Sequence, residues 1–74
     1  HNCIVYPNPN FGHFKIKCLD YHSILRQELY TATGQLITQT NKDFEYLNLA
    51  AGLYKLVLIY KQGKQEQHRI MITQ

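Results

Sequence analysis

Leu53-Tyr54-Lys55-Leu56-Val57-Leu58-Ile59-Tyr60-Lys61, followed by Gln62-Gly63, is the stretch on which the fold turns. Tyr54, Leu56, Leu58 and Tyr60 fall on one side of an extended chain, and Leu53, Lys55, Val57, Ile59 and Lys61 on the other. A side-chain period of two is that of a β-strand, and β-branched and aromatic residues fill the run. It reads as the most buried strand. Gln62-Gly63 ends it, because Gly63 can take the positive φ that a tight hairpin turn demands. The chain then returns through His68, Ile70 and Ile72, which alternate with Arg69, Met71 and Thr73. Strands over 53–61 and 65–73 therefore pair as a hairpin.

Working outward, Phe14, Ile16 and Cys18 oppose His13, Lys15 and Lys17, the pattern of a strand with one wet face. Thr33-Gly34 gives a second turn signal, pairing strands over 24–31 and 35–40. Further strands are expected near 3–7, 13–19 and 44–49, and no window keeps a helical apolar stripe for three turns. Tyr6-Pro7-Asn8-Pro9-Asn10 stops the first strand, since each proline lacks an amide donor and biases its predecessor to extended conformations. Asn8 and Asn10 can bond their own backbone, and Gly12 releases the chain into the next strand. This rigid loop reads as a corner of the fold or as an exposed recognition loop. Leu49-Ala50-Ala51-Gly52-Leu53-Tyr54 resembles the tyrosine corner of immunoglobulin-like sandwiches, in which the ring packs inward and the hydroxyl bonds backbone a few residues upstream. The expected fold is all-β, a small antiparallel seven-stranded immunoglobulin-like β-sandwich.

A chain of 74 residues holds one domain and excludes a barrel enzyme or a large cofactor fold. No apolar run approaches the ~20 residues that span a bilayer, and no basic-then-apolar leader stands at the front. Without an initiator Met the chain reads as a piece of a longer protein. Charges cancel over residues 1–52, and the whole net charge of +3 lies in 53–74. A few cations spread over a hairpin read as a solvated surface rather than a nucleic-acid stripe. Cys3 and Cys18 are too few and too far apart for a paired zinc site. Small buried cysteines commonly fill cores, which favours separate free thiols; a disulfide requires their strands to be neighbours.

Catalysis finds little material. Asp20, His22 and Ser23 are adjacent in sequence, whereas a triad converges from different elements. Asp43 and Glu45 read as a solvated pair beside a turn. His1, His13, His22 and His68 lack short ligand spacing. No catalytic, cofactor or metal site is expected, and the six tyrosines read as strand-face residues whose hydroxyls reach the rim.

Taken in order, four blocks resemble a known family. Val5-Tyr6-Pro7-Asn8-Pro9-Asn10 with Gly12-His13-Phe14 is similar to the opening of the type A C-terminal sorting domains of the type IX (Por) secretion system of Bacteroidetes. Glu28-Leu29-Tyr30-Thr31-Ala32-Thr33-Gly34-Gln35-Leu36-Ile37 resembles the family's central turn block, Leu47 through Tyr54 its Asn-Leu…Gly-x-Tyr block, and Gly63-Lys64 through Ile72 its closing strand. Gln27 stands where the family usually has an apolar residue, which predicts a wetter third strand, and the chain ends in Thr73-Gln74 where a Lys is frequent.

The resemblance implies a non-catalytic sorting domain spanning 1–74 at the end of a larger secreted protein. It implies export of an N-terminal cargo domain through the periplasm and across the outer membrane, to the medium or the cell surface. Its implied partners are the outer-membrane translocon, a shuttle barrel and a sortase-like peptidase. Carried over residue by residue, partner recognition falls on Pro7, Asn8, Pro9, Gly12, Gly34, Gly52 and Tyr54, and on Lys64 with the final strand. The rival expectation is an accessory carbohydrate-binding or adhesion module, which needs a row of exposed tyrosines such as Tyr21, Tyr46 and Tyr60.

Overall fold

Period-two alternation becomes six strands in chain order: β1 (Cys3–Tyr6), β2 (Lys15–Cys18), β3 (Ile24–Thr31), β4 (Leu36–Thr40), β5 (Gly52–Tyr60) and β6 (Gln65–Ile72). The structure, a computed structural model, describes residues 3–20, 23–41 and 48–73. β1 and β2 form one antiparallel pair, and the other four strands form an antiparallel sheet in the order β4-β3-β5-β6. Both expected hairpins are present, β3 with β4 and β5 with β6. In the second, Gly63 sits at φ 88° and its amide donates to the Tyr60 carbonyl, while the Tyr60 amide donates to Lys64. The positive φ expected of Gly63 is thus used in the turn.

β5 occupies the interior of the larger sheet, as its composition requires. Leu56 lies opposite Leu29 on β3 and Tyr54 opposite Ile70 on β6, so one face of the sheet carries adjoining apolar side chains. Leu29, Leu56, Leu58 and Ile70 are wholly buried. The inward residues Cys3 and Ile16 of the small pair, and Phe14 just before β2, join them with Tyr60 and Ile72 in one core. Burying an aliphatic side chain of this size stabilises by about 1.5–3 kcal/mol relative to exposure, and in so short a chain both sheets need the shared core.

Three expectations are corrected. Cys3 and Cys18 are not separate thiols: they form a disulfide. They are direct cross-strand partners with Cα atoms 4.1 Å apart, the close spacing of a pair that exchanges no backbone hydrogen bonds. The third strand is not wetter at Gln27, which is wholly buried opposite Leu58 in the core-facing row. Strand boundaries also shrink: β2 covers Lys15–Cys18 rather than 13–19, and β1 stops at Tyr6, before the first proline. The strand expected over 44–49 falls largely outside the described residues; Asn48 and Leu49, which are described, lie in no strand.

Candidate recognition surface

The Pro-Asn loop is built by contacts far away in sequence. β1 ends where Pro7 interrupts the ladder, and the peptide bonds before Pro7 and Pro9 are cis. The side-chain amide of Asn8 donates to the Arg69 carbonyl at 2.9 Å, and its oxygen accepts from the Met71 amide at 3.0 Å. A side chain here makes the paired bonds that a neighbouring strand would make. Asn10 continues along the same edge: its amide donates to Met71 O at 2.9 Å, and its carbonyl accepts from the Thr73 amide at 2.7 Å. This is a single parallel bridge to Ile72. The Asn10 side chain closes the loop from within, accepting from Gly12 N at 2.8 Å and donating to Pro7 O. Gly12 is buried at φ 105°, a conformation that residues with a Cβ rarely adopt. Pro7, Asn8, Pro9 and Phe11 face solvent around this buried knot.

Strand register shows which sequence-expected residues come together. Gly52 pairs with Ile72 and Tyr54 with Thr31 at the start of the β3–β4 turn that holds Gly34. Together with Asn10 on Ile72, this sets Pro7, Asn8, Pro9, Gly12, Gly34, Gly52 and Tyr54 toward one end of the molecule. Lys64 is not with them. It lies in the β5–β6 turn, at the far end of β5, roughly 26 Å from Gly52 at about 3.3 Å per residue. The expected tyrosine corner is present: the Tyr54 hydroxyl donates to Ala50 O at 2.6 Å, and its ring packs against the core.

Other groups weighed on chemistry have structural employment. The Ser23 hydroxyl donates to the backbone carbonyl of Asp20, and among the described residues no three His, Cys, Asp or Glu side chains gather as metal ligands. His22, Tyr21, Asp43, Glu45 and Tyr46 lie outside the described residues. Tyr60 is buried rather than part of an exposed platform, and its hydroxyl donates to Glu66. On the sheet's outer face Glu28 accepts from the Tyr30 hydroxyl at 2.6 Å and from Arg26 Nε at 2.7 Å. These bonds, that from Tyr30 foremost, hold the Glu28 carboxyl below its usual range and push the Tyr30 phenol up. The Lys55 ammonium sits 5.7 Å from the centre of the Tyr30 ring.

Sequence reasoning missed the clasp between the two sheets. Glu66 accepts from the Cys3 amide and the Tyr60 hydroxyl, and its Oε2 lies 2.6 Å from His68 Nε2. Nothing in the spacing of Asn8 and Asn10 marks β6 as their partner.

The described residues form a small all-β domain of two antiparallel sheets, with the Pro-Asn loop and the Gly34 turn toward one end. Residues 4–73 match the model of the secretion system C-terminal sorting domain, and the chain belongs to that family. The family identifies a sorting signal for type IX secretion, as the four sequence blocks implied. No curated protein matches the chain.

Proposed function

We propose that this domain is the non-catalytic tail of a larger secreted protein and that the type IX machinery reads it as a folded shape. The observation that carries the reading is the knot at Asn8 and Asn10, which fixes the Pro7–Gly12 loop on β6 through bonds more than 60 residues apart in sequence. A linear signal has no use for such bonds. In this reading the tail follows its cargo through the periplasm, where a disulfide can form and persist. It folds as a small immunoglobulin-like sandwich. The outer-membrane translocon and its shuttle barrel then engage the end that carries Pro7, Asn8, Pro9, Gly12, Gly34, Gly52 and Tyr54. A sortase-like peptidase removes the tail from the cargo at the surface. Lys64 stands at the opposite end and meets a partner through a separate contact.

Fusion of residues 1–74 to an inert reporter, expressed in a host that carries the secretion system, tests the reading. The reporter reaches the cell surface only with the segment attached; equal amounts at the surface with and without it would refute the proposal.

A further inference from the structure

The bonding parity of β6 leaves part of its outer edge open. Tyr60 pairs with Lys64 in the hairpin, so Glu66, His68, Ile70 and Ile72 direct their amides and carbonyls to β5. Gln65, Gln67, Arg69 and Met71 direct theirs outward. Asn8 and Asn10 occupy this edge from the Arg69 carbonyl onward. Below them, no described residue bonds the outward backbone groups of Gln67 or the Arg69 amide. β1 runs alongside in the same direction, with Cys3 bonded to Glu66 and Asn8 to Arg69. Cys3 and Cys18 form a non-hydrogen-bonded pair, so Val5, two residues on, also turns its backbone groups away from β2. Between the two edges lies a groove of about 320 Å³ lined by Cys3, Ile4, Val5, Asn8, His68 and Arg69.

We propose that this groove takes an extended peptide segment of a partner protein, which adds to the outer edge of β6 as a further strand. The occupant carries a carboxylate toward Arg69 and an apolar side chain toward Ile4. The inference rests on the sorting reading above and names where on the domain a partner chain pairs. One general property of sheets and two observations support it. Unsatisfied strand edges are templates for strand addition, in which main-chain bonds supply affinity and alternate side chains supply specificity. The molecule already pairs this edge once, through its own Asn8 and Asn10, so its geometry accepts a neighbour. Arg69 is exposed at the rim and Ile4 is 60% exposed with Lys17 opposite, while the carboxylate of Glu66 is engaged by Cys3, Tyr60 and His68. The charge left at the rim is positive.

Gln67→Pro tests this in the reporter fusion, since it removes one outward amide and leaves the ladder to β5 intact; proline is tolerated where a strand amide faces solvent. The expected result is a folded domain, by circular dichroism and melting, whose export is lost. If Gln67→Pro does not fold, Arg69→Pro set against Arg69→Ala puts the same question to the next outward amide: the alanine variant exports less than the parent, and the proline variant not at all. Normal export by a folded proline variant overturns the groove proposal while the sorting reading stands. Failure of the unsubstituted fusion to export overturns both. A dimer of the free domain in sedimentation, dissolved by Gln67→Pro, would place a second copy in the groove and also overturn it.

Discussion

In the four-stranded sheet, backbone bonds backbone along the register and Leu29, Leu56, Leu58 and Ile70 are wholly buried. β1, β2 and their loop reach that sheet at fewer points: the shared core, the Glu66 clasp, the Asn8 side chain and the single backbone bridge of Asn10. The Cys3–Cys18 disulfide ties the pair to itself. The larger sheet is thus a scaffold specified by pattern, and the smaller region is fastened to it at a few points. Such an arrangement holds a solvent-facing loop in place through bonds distant in sequence.

The contrast predicts a graded set of losses. Leu58→Ala empties space in the scaffold and should cost about 2–5 kcal/mol, seen in urea unfolding as a lower midpoint; a cost under half of that would mean the core collapses around the gap. Replacing Cys3 and Cys18 by Ser opens a bridge of sequence separation 15. By chain entropy this costs about 3 kcal/mol, and it should loosen β1 and β2 before the larger sheet. Amide exchange that rises uniformly would erase the distinction between the two regions.

Asn8→Ala removes one donor and one acceptor bond to β6 and should cost about 1–3 kcal/mol. The Met71 amide, which Asn8 satisfies, should then exchange faster while the amide of Leu56 does not change. The smallest effect belongs to the outer face. Glu28 titrates below its ordinary value of 4.5 in the folded chain, so the unfolded chain binds the proton more readily. The stability this contributes is complete above pH 4.5 and fades as pH falls through the folded value. Glu28→Gln should flatten that acid limb in pH-dependent melting, and an unchanged limb would exclude Glu28 as its source.

What the sequence showed follows from the same division. β5 and β6 were legible because alternation over eight or nine residues is a repeated signal, and Gly63 marked their turn by its need for positive φ. Tyr54 was legible because its hydroxyl bonds a residue four positions away. Asn8 and Glu66 were not, since each bonds a partner 63 or so residues distant and leaves no periodic trace. The cysteines were misread for a related reason: pairing depends on β1 and β2 being neighbours, and the prolines between them hid the connection. Gln27 broke the apolar pattern of its strand yet is buried within it, so a single polar residue was too local a signal to place a face. Of the expected site, turn chemistry placed Pro7, Pro9, Gly12 and Gly34 in turns, the family resemblance alone marked them for recognition, and their common end of the molecule emerged only from register.

Surface display of the Leu58→Ala fusion tests most directly whether shape is what the machinery reads. Every sequence block that resembles the family is intact in that variant, and only the scaffold is weakened. Measured per molecule retained in the cell, display should fall with the folded fraction and recover when a compensating stabilisation restores the fold. Display equal to that of the parent from an unfolded tail would show that a linear signal suffices.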